Sequence, residues 1–418
     1  MEARIFSPPS KESVNTDIEL CALALMSCPH LGTARLRRAV EFFKGPAGAV
    51  DALAAGEAVA LSTRRDRVTP SQAKRVASYL AGYDYERART ALAELGGRVI
   101  FQGGPAYPEF LASSPVAPPF LVLAGNGELP NVGCVAVVGT RRASVTGLEV
   151  AFRLGLGLAE RGITVVSGMA RGIDAAAHLG ALEVESHAGT ALSVAVLGCG
   201  IDVVYPKCNS KLYRSLLNKG VVVSQYGLGA PPEKWRFPER NRTIAGFSVG
   251  VVVVESFLSG GALSTVAAAN EIGREVMAVP GSVLSPAASG TNQLIWEGAA
   301  PVRSAEDVVE CLSALALPSH AELLDNATCQ NVPASCRAND QRIESLNLTQ
   351  AQSEILFLLG DGEPRTLAEL SARCEMTPAS VIDALAGLSR AGLVVPYGGE
   401  RFVASSSPHA RAQPSYWR

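Results

Sequence analysis

From Arg98 to about Ala314 the chain alternates short, unbroken apolar runs with longer segments whose apolar positions recur at helical spacing. The strand candidates built on these runs are Val99–Phe101, Phe120–Ala124, Val132–Val138, Ile163–Val166, Leu192–Leu197, Val221–Ser224, Val251–Glu255 and Glu275–Val279. An unbroken apolar run suits a strand buried on both faces, as strands in parallel sheets are. The intervening helices are predicted to begin near Ser144, Ile173, Asn209, Pro238, Gly261 and Thr291. This alternation predicts an α/β domain over 98–314: a mostly parallel sheet with helices on both faces.

The flanks read differently. Residues 16–97 are helical by pattern, with apolar positions at Ile18, Ala22 and Leu25, then Leu36, Val40 and Phe43, then Val76 and Leu80. Thr69, Pro70 and Gln72 spell a capping box with proline at the first helical position. The turn Pro29 to Arg35 resembles a helix-hairpin-helix or SAM-like element, with His30 where that motif prefers glycine. Residues 315–346 lack periodicity and read as a linker. Residues 347–404 carry two capping boxes (Thr349 with Gln352, Thr366 with Glu369), a third helix opened by Thr377-Pro378, and a terminal hairpin. Three helices and a wing predict a winged helix. Residues 1–15 and 405–418 are expected to be disordered.

Composition narrows the function classes. The 418 residues have net charge −2, so any basic site must be local. Nine cysteines form no C-x-x-C pair and the five histidines show no zinc-like spacing, which argues for reduced thiols in a cytoplasmic protein without a metal. No apolar run reaches the length of a membrane helix. The winged-helix segment 349–405 holds four Arg against seven Asp/Glu, too few cations for reading duplex DNA, so a protein-contact role is expected.

The candidate chemistry concentrates in two segments. Between Val204 and Ala245 there are eight Lys/Arg and two Glu, and Lys234 to Arg242 reads K-W-R-F-P-E-R-N-R. Guanidinium groups grip phosphate oxygens, and Trp235 and Phe237 offer flat faces on which bases stack; Tyr205 is a further stacking candidate. The second segment is the apolar run ending at Gly139, followed by Thr140-Arg141-Arg142-Ala143-Ser144 and a helix. Strand, glycine turn and helix aim backbone N–H groups and a helix dipole at an anion. The G-x-G-x-x-G fingerprint and the ribose-binding carboxylate after the next strand are both absent, which excludes a dinucleotide site. Glycines at the strand ends (Gly139, Gly168, Gly198, Gly200, Gly260, Gly261, Gly281) place the ligand at the carboxyl edge of the sheet. Asp174 and His178 share a helical face but lack a nearby nucleophile, so His178 is expected to be a packing residue. Glu255 is expected to hold loop N–H groups.

The ordered motifs V-G-T-R (138–141) with Ser144 and Gly147, S-G-M-A-R-G-I-D-A-A-A-H (167–178), L-G-C-G-I-D (197–202) with Tyr205-Pro206, F-P-E-R-N-R (237–242), S-G-G-A-L (259–263) and S-G-T-N (289–292) together resemble the DNA-processing protein A (DprA/Smf) family. The resemblance implies a Rossmann-like central domain between a SAM-like module and a winged helix. It further implies a bacterial homodimer that binds and protects single-stranded DNA, loads RecA recombinase on it during natural transformation, and catalyses no reaction. The phosphate- and DNA-binding residues expected are Gly139, Thr140, Arg141, Ser144, Ser167, Gly168, Arg171, Lys207, Trp235, Phe237, Arg240, Asn241, Arg242, Ser259, Gly260 and Gly261. No cofactor is expected. Gln225 stands where the family usually has Glu. The rival reading is a phosphoribohydrolase-like enzyme, suggested by Ser259 to Thr265; Val266-Ala267-Ala268-Ala269 follows where such enzymes carry a catalytic Glu.

Overall fold

A computed structural model describes residues 11–132, 134–185, 189–314, 349–359, 365–374, 376–390, 394–397 and 401–404. The expected linker and C-terminal tail lie outside these residues. The described chain divides into two units, one on either side of residue 330.

The first unit opens with five helices: α1 (Lys11–Ser27), α2 (Thr33–Phe42), α3 (Pro46–Ala54), α4 (Pro70–Ala81) and α5 (Tyr85–Glu94). The first reaches back to Lys11, ahead of the expected start at Thr16. Thr69 accepts from the Gln72 amide while Gln72 accepts from that of Thr69, so the capping box forms as its spacing predicts. His30 has φ of 65°, the left-handed backbone that explains the usual glycine there.

The sheet that follows has strands β1 (Arg98–Phe101), β2 (Phe120–Ala124), β3 (Cys134–Val138), β4 (Val165–Ser167), β5 (Ser193–Leu197), β6 (Val221–Ser224), β7 (Ser248–Val253), β8 (Glu275–Ala278) and β9 (Ala300–Pro301). Their spatial order is β1-β2-β6-β5-β4-β3-β7-β8-β9. Pairing is parallel from β6 through to β9, and antiparallel for β1 with β2 and β2 with β6. Between them lie α6 (Glu109–Ala112), α7 (Val145–Glu160), α8 (Ile173–Ala181), α9 (Ser210–Lys219), α10 (Arg236–Phe247), α11 (Leu263–Glu271), α12 (Ser289–Trp296) and α13 (Ala305–Ala314).

Side chains alternate across the sheet. On β3, Val135 and Val137 pack with α7 and α8, whereas Ala136 and Val138 pack with α10 and α11. Both faces are therefore buried, which is why the strands read as unbroken apolar runs. The core of the helical module runs on into β1, β2, β5 and α9. Arg37 of α2 ties that module down by donating to the carbonyls of Pro115 and Ala117, at 3.5 and 2.5 Å. Gln225 joins the two parts as well: its amide donates to Thr33 at 3.4 Å and its carbonyl oxygen accepts from Thr243. A carboxylate, the usual residue there, has no hydrogen to donate to Thr33.

Beyond β3 the chain builds outward through β4, β5 and β6, then returns to place β7 on the other side of β3. The loops leaving β3 and β7 thus diverge, and a crevice opens between them at the carboxyl edge.

The second unit contains α14 (Gln350–Leu358), α15 (Leu367–Arg373), α16 (Pro378–Arg390) and strands β10 (Arg365–Thr366), β11 (Val394–Tyr397) and β12 (Arg401–Ala404), ordered β10-β12-β11 and antiparallel. The three helices and the hairpin expected from the pattern are present. Both capping boxes form, at Thr349 with Gln352 and at Thr366 with Glu369.

Candidate nucleic-acid interface

The crevice between the β3 and β7 loops is a cleft of about 700 Å³, lined by Gly139, Thr140, Arg141 and Arg142 on one side and Phe257, Ser259, Gly260 and Gly261 on the other. A neighbouring cavity of about 580 Å³, lined by Gly168, Arg171, Tyr205 and Lys207, continues it. Arg141, Arg142, Ala170, Tyr205, Phe237 and Arg240 border both, so the two form one groove. The groove is lined by Arg141, Arg142, Arg171, Lys207, Lys234 and Arg240, against a single carboxyl, that of Asp174. In a chain of net charge −2, this is a strongly local positive field.

Its rim is set by glycine geometry. A Cβ on Gly139 would sit 2.6 Å from Ile173 Cγ1 and 2.8 Å from the Glu255 carbonyl oxygen, so only glycine lets β3 turn this close to α8 and the β7 loop. Glu255 clamps the turn. Its carbonyl accepts from the Thr140 amide at 2.7 Å, and its carboxylate accepts from the Ser144 amide at 2.9 Å and the Ser144 hydroxyl at 2.5 Å. That hydroxyl in turn caps α7 by accepting from the Gly147 amide at 2.9 Å. The sequence expectation for Glu255, a holder of loop N–H groups, matches this geometry. The clamp leaves Arg141 and Arg142 on the outside of the turn, exposed to solvent.

Aromatic rings interleave with these cations. The Arg141 guanidinium lies 5.2 Å from the Phe237 ring centre, and that of Arg142 lies 5.3 Å from the centre of Phe257. Tyr205 tilts against Phe237 at 5.6 Å and 37°, and 38% of it is exposed. Among the described residues, none of Arg141, Arg142, Arg171, Lys207 and Lys234 is in an ion pair. The Arg171 Nε lies 3.1 Å from the Cys208 sulfur.

The floor is a different environment. Arg240 is 4% exposed; it donates to the carbonyls of Gly168, at 2.6 Å, and Val196, and its Nε donates to Asn241 Oδ1 at 3.1 Å. Burial pulls its guanidinium down from its ordinary value, and Asp174 opposes that pull. Asp174 accepts from the amides of Gly168 and Ala170 at 3.2 and 3.4 Å; burial pushes its carboxyl up, against the attraction of Arg240. His178, one turn on, is completely buried with Nδ1 2.8 Å from the Ser193 hydroxyl. Burial, reinforced by the Arg240 charge, holds its imidazole down at about 3. The group is therefore neutral and packed, as its setting in the sequence suggests.

The structure brings most of the sequence candidates into the groove and sorts the rest. Gly139, Thr140, Arg141, Gly168, Arg171, Lys207, Phe237, Arg240, Asn241, Ser259, Gly260 and Gly261 line it. Four candidates do other work. Ser167 is completely buried and donates to the Val137 carbonyl at 2.6 Å. Ser144 is held by Glu255. Arg242 lies off the groove lining, paired with Glu271 at 2.7 Å. Trp235 lines a separate cavity, because residues two apart at a helix start project in different directions. Arg240 is in the groove but buried, so it braces the loops from below. Conversely, Arg142, Lys234 and Phe257 line the groove without being among the candidates. Arg142 and Lys234 had a signal in sequence, each adjoining a candidate residue in a basic run. Phe257 is a lone aromatic after β7, with no pattern to mark it.

Fold and groove together define a Rossmann-like α/β protein whose ligand edge is a basic, aromatic-lined channel at the sheet's switch point. Residues 98–313 match the sequence pattern of DNA recombination-mediator protein A, and the chain belongs to that family, DprA/Smf. It is 42% identical over 203 residues to the DNA processing protein DprA of Streptococcus pneumoniae, spanning 49% of this chain and 70% of that one. Its identity to the protein Smf of Escherichia coli is 40% over 207 residues, 49% of this chain and 54% of that protein. The X-ray structure of the Streptococcus pneumoniae protein aligns with a TM-score of 0.57 at 32% identity, covering 71% of this chain and 97% of that one.

Proposed function

We propose that the protein binds single-stranded DNA along the groove, shields it, and presents it to a RecA-type recombinase, acting in the cytoplasm as a homodimer and without altering the DNA. The observation that carries this reading is the stack of Arg141 over Phe237 beside Tyr205, with further cations on either side that are in no ion pair among the described residues. Cations take phosphates and rings take bases, and because every base has a π-face such a channel accepts single strands of almost any sequence. A duplex keeps its bases stacked inside and leaves those rings unused.

The carboxyls in and behind the groove support a binding role over a hydrolytic one. Asp174 lies buried under two backbone amides, and Glu255 is held by Ser144. In α11, where the phosphoribohydrolase-like reading needs a Glu, Val266, Ala268 and Ala269 are buried apolar residues. Exposed apolar side chains support the dimer: Val283 and Leu284 are 91% and 90% exposed, on a loop pinned to the start of α12 through Gly281 and Asn292, and Trp296 at the end of α12 is 87% exposed.

Two assays on one preparation test the proposal. The protein is incubated with labelled single strands and with nucleotides, and recombinase filament nucleation is then followed on coated strands. Intact DNA with faster nucleation is the expected result. Strand cleavage or base release that disappears in Arg141→Ala contradicts it.

A further inference from the structure

The first turn of α10 is a partition. Phe237, Pro238, Arg240 and Asn241 line the groove, whereas Trp235, Arg236 and Glu239 line a separate cavity of about 350 Å³. The opposite wall is the turn from Cys28 to Thr33 that joins α1 to α2, so this cavity lies between the helical module and the sheet. Its size is that of a small-molecule site.

Three side chains give it chemistry. Trp235 is held by its Nε1, which donates to Glu233 at 2.8 Å, and by an edge contact with Tyr226 at 6.1 Å. The Arg236 guanidinium lies 5.0 Å from the Trp235 ring centre, yet Trp235 is 52% exposed, as a ring with one face open would be. Glu239 is half-buried. Its Oε2 is 3.4 Å from the Tyr226 hydroxyl, and among the described residues its Oε1 has no hydrogen-bond partner.

We propose that this cavity takes a guanine base of the bound strand, stacked on Trp235 and read by the Glu239 carboxylate. The inference rests on the single-strand reading above. A carboxylate offers two acceptor oxygens side by side and no donor. Guanine alone among the DNA bases presents two adjacent donors, N1–H and the 2-amino group. Adenine and cytosine set an acceptor beside their amino groups, and thymine flanks its one N–H with carbonyls. The path is short: Trp235 and Phe237 put one ring in each cavity, and Lys234, which borders the groove, stands beside them to take a phosphate. Consecutive nucleotides crossing the helix start would meet one ring each.

The test is equilibrium binding of the full-length protein to three strands of equal length: all thymine, thymine interrupted by guanines, and the same strand with inosine, which lacks the 2-amino group. The parent protein is expected to favour the guanine strand over the thymine strand about tenfold, with inosine between. Glu239→Gln, which replaces one acceptor by a donor, is expected to abolish that preference while holding the thymine strand within about twofold. Equal affinity of the parent for guanine and thymine strands overturns the inference, as does a preference that survives in Glu239→Gln. The inosine arm uses the unaltered protein, so a folding defect in the variant cannot decide the outcome. If the parent binds no thymine strand at all, the single-strand reading itself has failed.

Discussion

Arg141 and Arg240 approach the same ring, at 5.2 and 6.0 Å from the centre of Phe237, and there the likeness ends. Arg141 stands on an exposed turn with no ion-pair partner among the described residues, its charge open to a ligand. Arg240 is enclosed, its donors committed to the Gly168 and Val196 carbonyls and to Asn241. A guanidinium in water is available for phosphate at little cost, whereas one in the protein interior is tolerated because backbone carbonyls and a neighbouring carboxylate answer its charge. The rim of the groove therefore binds and the floor holds shape. Three loops that carry rim residues, those after β3, β4 and β5, converge over Arg240 and Asp174.

The contrast breaks most visibly at Arg240. Arg240→Ala is expected to destabilise the protein by about 3–5 kcal/mol, because it strands two carbonyls and the Asp174 carboxyl in the interior. Urea unfolding measures this, and a loss below about 1 kcal/mol would place Arg240 with the rim.

A more gradual effect, spread over several pH units, sharpens the same division. His178 is held down at about 3 in the folded state, against about 6.5 when unfolded. A depressed histidine contributes stability that is complete above the unfolded value and is lost as pH falls towards the folded one, because only the unfolded chain takes up the proton. Between about pH 6.5 and 3 the parent should therefore lose up to about 1.4 kcal/mol per pH unit through this group. His178→Gln should remove that part of the slope. An unchanged pH profile in the variant would mean that the imidazole is not held neutral.

Much of this architecture was legible in the sequence, and the reasons are local. Phe120–Ala124 and Val221–Ser224 are strands over the very residues their runs mark, since burial on both faces leaves them apolar but for the terminal Ser224. Strand β7 starts at Ser248 rather than Val251, because Ser248 is buried and bonded to Ile244, which pattern alone reads as a break. The two-residue strands β9 and β10 are too short for any periodicity, and one of them contains Pro301. In the groove, residue types were legible and exposure was not. The run from Lys234 to Arg242 announces cations and rings, but α10 distributes them to three places: Phe237 to the groove, Trp235 to the second cavity, and Arg242 to Glu271 on the outer side. Burial of Arg240 depends on Gly168 and Val196, far away in sequence, and nothing in the local pattern reveals it.

The most direct test of the account is the salt dependence of single-strand affinity for the parent, Arg141→Ala and Arg242→Ala, two surface changes that should leave folding intact. Each phosphate contact contributes roughly 0.7 to the slope of log affinity against log salt for single strands. Arg141→Ala is predicted to bind more weakly and to flatten the slope by about that amount. Arg242→Ala, which removes an exposed pair outside the groove, is predicted to follow the parent. The opposite pattern, an unchanged slope in Arg141→Ala and a flattened one in Arg242→Ala, would put the strand on the outer face of α10 and contradict the groove as the binding site.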